Sequence, residues 1–146
     1  MAAPTYAWEY VTNLYGLNPP TPITGTASAS LETKVGTALI MTSGALDEAT
    51  ASVVLFAGFA AQATSAAASA GDAIKFYPYR PGDVYKGTAD ADASSLINFS
   101  GKTGDFNTDG SLDVADSTNG CLSVWKIGSA NTEVYVVVNS AKMAMQ

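Results

Sequence analysis

Between Val35 and Val138 the apolar positions fall into short runs broken by turn signals. β-Branched and aromatic residues dominate the runs, which is how an all-β domain reads. The pattern predicts strands near 35–42, 52–60, 73–79, 82–87, 103–106, 111–116, 121–127 and 132–138. In Val53-Val54-Leu55-Phe56-Ala57-Gly58-Phe59 both alternating faces are apolar, so this strand is expected at the centre of the core, covered on two sides. Ser111-Leu112-Asp113-Val114-Ala115-Asp116 puts Leu112 and Val114 on one face and Asp113 on the other, so one side should be wet. Glu133-Val134-Tyr135-Val136-Val137-Val138 should be central or covered, because a bare edge of that composition invites aggregation. Ala60 to Ala70 reads as a loop at least as well as a short helix, since no apolar stripe larger than alanine supports a helix. Thr88 to Ser95 reads as a surface loop.

Residues 1–30 have a different texture. They carry one charge, Glu9, with Pro4, Pro19, Pro20 and Pro22 and a cluster of aromatics. Tyr6, Trp8 and Tyr10 alternate with Ala7, Glu9 and Val11, so an extended backbone sets the three rings on one face. Two readings stand: the segment docks on a partner, or it packs back on its own domain as a strand or as a short helix with Tyr6, Tyr10 and Leu14 on one side. The prolines of Asn18-Pro19-Pro20-Thr21-Pro22 remove donors and bias the residues before them away from helix, so the run reads as an extended connector. The expected organisation is an extended arm over 1–30 and a single β-rich head over 31–146. The head would be a small β-sandwich or partly open barrel whose C-terminal half is a meander.

Length and charge sharpen this picture. A chain of 146 residues fits one domain able to fold without staples. Only 14% of residues are charged, which suits contact with other protein. Seven Lys and Arg against 13 Asp and Glu give a net charge of -6, which repels nucleic-acid phosphates and anionic lipid headgroups. Met1 to Tyr10 lacks the marks of a signal peptide and no stretch is long enough to cross a bilayer, so the expectation is a soluble protein made in a cytoplasm. Cys121, the single cysteine, cannot form an internal disulfide and reads as a small buried side chain.

Candidate chemistry is sparse. The chain has no His, no Gly-rich phosphate loop followed by Lys-Ser/Thr, and no Gly-x-Ser-x-Gly elbow, so an enzyme is not expected. Were it one, Asp83 beside Arg80, or the cluster from Asp105 to Asp116, would be the place to mutate. Asp105, Asn107, Asp109, Asp113 and Asp116 sit at the first, third, fifth, ninth and twelfth places of a calcium-loop pattern, with Gly110 at the sharp turn. A β-like run follows where a helix belongs, however, and Asp109-Gly110 and Asn119-Gly120 are favoured hairpin dipeptides. A hairpin is therefore the preferred reading and no cofactor is expected. The rival is a calcium-dependent adhesive or carbohydrate-binding β-sandwich module.

The order of several segments resembles that of the capsid decoration (cement) proteins of tailed bacteriophages. The segments are Tyr10-Val11-Thr12-Asn13-Leu14-Tyr15-Gly16, Lys34-Val35-Gly36-Thr37-Ala38-Leu39-Ile40, Leu55 to Thr64, Gly71 to Pro78, Arg80-Pro81-Gly82-Asp83-Val84-Tyr85 and Gly120 to Ile127. The resemblance implies a virion structural protein on the outer capsid surface, made in the bacterial host. It implies a β-rich head forming a homotrimer at local three-folds, with the major capsid protein as partner. It also implies an arm reaching neighbouring subunits through Tyr6, Trp8, Tyr10, Val11, Leu14 and Tyr15, with strand addition supplying affinity. The acidic stretch from Asp90 to Asp116 departs from the simplest decoration proteins and is expected to project into solvent.

Overall fold

The computed structural model describes residues 3–49, 55–64, 66–100, 102–116 and 120–139. Eleven strands are described: β1 Glu9–Asn13, β2 Ile23–Thr26, β3 Ala38–Thr42, β4 Ala45–Glu48, β5 Phe56–Ala60, β6 Ala73–Pro78, β7 Asp83–Thr88, β8 Asp105–Phe106, β9 Leu112–Asp113, β10 Leu122–Ile127 and β11 Glu133–Val138. A single 3-10 turn, Ser94–Leu96, is the one helical element among the described residues. The all-β sandwich expected from the strand pattern is what forms.

One sheet runs β1-β7-β11-β10, a second runs β2-β6-β5-β3-β4, and β8 and β9 make a separate hairpin. Every strand pair is antiparallel. The second sheet curls until its two edges meet, through a bridge between Ala27 and Leu46. β11 lies between β7 and β10, so its apolar run is central as its composition requires.

Two cores follow from this layering. Trp8, Tyr85, Leu122, Val124, Val134 and Val136 from the first sheet and its approaches meet Ala38, Phe56 and Phe59 from the second, with Phe106 and Leu112 of the hairpin alongside. Leu31, Leu39, Leu46, Ala57, Ile74 and Phe76 fill the inside of the curl. Each such Leu, Ile or Phe contributes about 1.5–3 kcal/mol by leaving water.

β5 serves both cores, and all five of its residues are buried. Phe56 and Phe59 are three apart, which in a regular strand would set them on opposite faces. A register shift against β3, where Ile40 faces Phe56 and Leu39 faces Gly58, turns both rings to the same side. Gly58 has φ +153°, and a Cβ there would come within 2.0 Å of the Tyr77 carbonyl oxygen, so this position requires glycine. The Phe59 ring then stacks on Tyr85 at 3.9 Å, and Phe56 stacks on Phe106 at 5.4 Å. The rest of the predicted strand, 52–54, lies outside the described residues.

Two strands, β2 and β4, fall where none was expected, while β1 takes up the alternating segment around Tyr10 and packs it back on its own domain. The expected meander is also only partly present. β8 pairs with β9 and β10 with β11, but Leu122 of β10 bridges Gly104 rather than joining β9. The turn at Asn119-Gly120 lies mostly outside the described residues.

The separate arm over 1–30 is corrected by the described residues. β1 pairs with β7 and β2 with β6, so this segment supplies one edge strand to each sheet. Trp8 explains why: its large ring is 4% exposed, set between Phe59 and Phe106, and it cannot be left in water without losing that burial. The indole N–H bonds the Gly110 carbonyl at 2.9 Å, and the Tyr6 N–H bonds the Asp109 carbonyl at 2.8 Å. The leader is thereby tied to the β8–β9 hairpin.

Candidate functional site

Arg80-Pro81-Gly82-Asp83 makes a tight turn into β7. Proline presets φ at the second position, Gly82 adopts φ +82° at the third, and the Asp83 N–H reaches the Arg80 carbonyl at 3.1 Å, as a type II turn requires. The Asp83 carboxylate has no solvent exposure. Arg80 grips it with a fork, Nε to Oδ2 at 3.1 Å and a terminal nitrogen to Oδ1 at 2.9 Å. A bidentate guanidinium is the partner that makes a buried carboxylate tolerable.

Asn13, the last residue of β1, adds a third hand. Its Nδ2 donates to Asp83 Oδ1 at 2.9 Å and to the Pro81 carbonyl at 3.1 Å. Its Oδ1 accepts the Tyr15 N–H at 2.7 Å and the Leu17 N–H at 3.3 Å. Leu14 N–H bonds the Gly82 carbonyl at 2.9 Å, and Arg80 donates to the Asn18 carbonyl at 2.6 Å. Gly16, with φ +79°, lets the chain reverse inside this cage.

The result is an apolar loop held by polar bonds, of which the one from Asn13 to Asp83 is buried. Tyr15 is 74% exposed, Leu17 49%, Leu14 44% and Val11 42%. The Tyr15 ring lies across Gly82, where a Cβ would come within 2.7 Å of it. Beside the loop runs a groove of about 420 Å³, with Leu14 and Tyr15 on one wall, Phe99 on another and Tyr79, Val137 and Val138 among its lining. Asn98 and Phe99 have φ of +60° and +50°, a region that bulky side chains avoid. Their N–H groups bond the Trp125 and Val124 carbonyls on the edge of β10, each at 3.0 Å, and so hold Phe99 outward. Tyr79 ties the groove to the sheet, its hydroxyl donating to the Asp83 carbonyl and accepting the Val138 N–H, both at 3.0 Å. Burial pushes its phenol pKa well up.

A second cleft, about 500 Å³, opens where β1 meets the second sheet, among Trp8, Tyr10, Pro20, Val35, Tyr77 and Tyr85. Tyr85 is buried, its pKa is raised by that burial, and its hydroxyl has no partner among the described residues.

The six residues expected to anchor an arm divide. Trp8 is in the core, and Tyr10 is half-buried against Tyr85 with ring centroids 5.7 Å apart. Tyr6 is partly exposed with its backbone fixed to the hairpin. Val11, Leu14 and Tyr15 remain at the surface, together on or beside the caged loop. Leu17 and Phe99 belong to the same surface and were not singled out by sequence, because exposed apolar residues in turns carry no periodicity.

The calcium-loop residues lie in a hairpin. Asp105 and Asp113 face each other across β8 and β9. Asp105 is buried, with Oδ1 accepting the Phe106 N–H at 2.8 Å and 3.4 Å from the sulfur of buried Cys121. Asp109 Oδ1 caps Ser111 at 2.9 Å, and Asn107 donates to Asp90 at 3.0 Å. Asp116 stands beyond the strand pair. No group of three or more His, Cys, Asp or Glu is placed to hold a metal ion among the described residues. The nearby Asp92 carboxylate is held below its ordinary range by the Ser94 hydroxyl and N–H and by Asn131.

Fold and site together define a small β-sandwich protein with an exposed apolar loop, held by polar bonds, at one end of its first sheet. The chain matches no family model, no curated protein and no solved structure.

Proposed function

We propose that this chain is a virion structural protein that binds the outer surface of an icosahedral phage capsid and stabilises it as a decoration protein. The observation that carries the reading is the Leu14–Leu17 loop. An apolar loop ordered before binding loses little entropy when a partner covers it. Tyr15 with Leu14, Leu17 and Val11 offers the kind of aromatic and aliphatic anchor on which protein contacts depend. In this reading the contact is made by the rim of the head, not by a free arm.

Charge supports the same orientation. The loop's carboxylate, Asp83, is buried and paired with Arg80. Asp90 and Asp92 lie beyond the other end of β7, about 20 Å away for a six-residue strand. The neutral end would face the shell and the acidic end would project. A homotrimer would set three such loops on neighbouring shell subunits, so that weak contacts combine by effective concentration.

Mixing the purified protein with undecorated capsids and imaging them tests the proposal. Density at local three-folds is the expected result, and bare capsids would sink the capsid reading. Tyr15→Ser combined with Leu17→Ser should leave the fold intact and weaken binding at least about tenfold, about 1.4 kcal/mol. Equal binding by that variant would remove the loop from the account.

A further inference from the structure

Apart from the bonds of Asn13 to Tyr15 and Leu17, the partners that hold the N-terminal segment lie beyond the Pro19–Pro22 connector. Tyr6 is held by Asp109, Trp8 by Gly36 and Gly110, β1 by β7, Asn13 by Asp83 and Asn18 by Arg80. The segment therefore behaves as a plug fitted into a seat built by the rest of the chain. The seat is specific: a Cβ on Gly87 would come within 2.3 Å of the Trp8 ring, so the bare backbone of β7 is what admits it.

We propose that residues 3–18 are exchangeable, and that a second copy of this chain takes them into the same seat to form a reciprocal dimer. Three observations carry this. β1 is an edge strand, so withdrawing it leaves the β7–β11 and β11–β10 ladders intact. The connector carries Pro19, Pro20 and Pro22, which have no N–H to satisfy, and Pro19 and Pro22 are exposed. Those prolines favour an extended connector, which gives the segment the reach to leave its own seat for that of a second chain. Each bond broken within a chain is remade between chains, which is the condition for domain exchange. The inference does not rest on the capsid reading, the dimer stands as an alternative to the homotrimer named there, and no capsid enters its test.

Two full-length variants test it by complementation. Trp8→Ala keeps the seat and spoils the plug, whereas Gly87→Val keeps the plug and blocks the seat. Refolded together from denaturant at high concentration, with an affinity tag on one chain, they should yield a mixed dimer. In that dimer the intact plug of the Gly87→Val chain fills the intact seat of the Trp8→Ala chain. The expected readout is co-purification of the untagged chain, twice the monomer mass by light scattering, and a melting transition above that of either variant alone. A mixture that behaves as the sum of its parts overturns the proposal. Deleting Pro19 and Pro20 in the otherwise natural chain gives a second reading. The shortened connector should shift the protein from monomer to dimer, and a folded monomer with Trp8 still buried would refute exchange. Should that deletion fail to fold, the complementation result decides.

Discussion

Trp8 donates its indole N–H to the carbonyl of Gly110, 2.9 Å away and 102 residues further along the chain. The same ring packs edge-on against Phe106 at 5.8 Å. One side chain thus binds the leader, the β8–β9 hairpin and the main core into a single unit.

Trp8→Ala is expected to destabilise the protein by about 3–5 kcal/mol, the range for removing a buried Trp. Deleting residues 1–25 removes β1 and most of β2 as well and should cost more. Urea or thermal melts check both, and a truncated chain that melts like the full one would restore the separate-arm picture.

Asp83→Asn leaves the shape of the turn but weakens the grip of Arg80 and Asn13. A loss of about 2–3 kcal/mol is expected, typical of hydrogen bonds to a buried charge. Hydrogen exchange at the Tyr15 and Leu17 amides should quicken in the same variant. Unchanged protection there would mean that the cage does not order the loop.

The strands that sequence revealed were those whose composition matched their setting. β10 and β11 are rich in Val, Ile, Tyr and Trp and bury one face in the core, so propensity and burial agree. β4 went unseen because Ala45-Leu46-Asp47-Glu48 lacks that composition. Its signal was the turn Ser43-Gly44, where both residues have positive φ as a two-residue hairpin demands. The alternation of Trp8 and Tyr10 was legible, but their cover was not, because β7 begins some 70 residues later, as the Asn13–Asp83 bond shows. The Arg80–Asp83 segment stood out as a motif, yet its role in caging Leu14–Leu17 depends on Asn13, which no local pattern marks.

Gly58→Ala should be severely destabilising, by more than about 2 kcal/mol, since the added methyl meets a backbone carbonyl and φ is unfavourable. Gly44→Ala makes the comparison: its positive φ also carries strain, but nothing lies within 4 Å of an added Cβ. Equal losses at the two sites would show that the close approach to Tyr77 is unimportant.

Glu48 should impose a pH dependence. Burial, then its neighbour Asp47, raises its pKa above the ordinary 4.5, and its Oε2 has no partner among the described residues. A raised carboxyl pKa means that the folded state holds the proton more tightly than the unfolded one. Its contribution is therefore most favourable below 4.5 and declines as pH rises through the folded value. Glu48→Gln should melt higher than the natural chain at neutral pH, with the gap closing in acid. A constant gap across pH would exclude this origin.

Calcium is expected to leave the melting temperature unchanged, because Asp105 and Asp109 already accept bonds that fix the hairpin. A rise equivalent to about 2.7 kcal/mol at a hundredfold excess over the dissociation constant would favour the adhesive-module reading instead.

β1 and β2 have no neighbour in sequence to join. β1 waits for β7 and β2 waits for β6, so during synthesis neither ladder can close until some 50 further residues or more have followed it. Pairings of such long range slow the search for the native state. A leading segment rich in Tyr and Trp must meanwhile stay clear of other nascent chains.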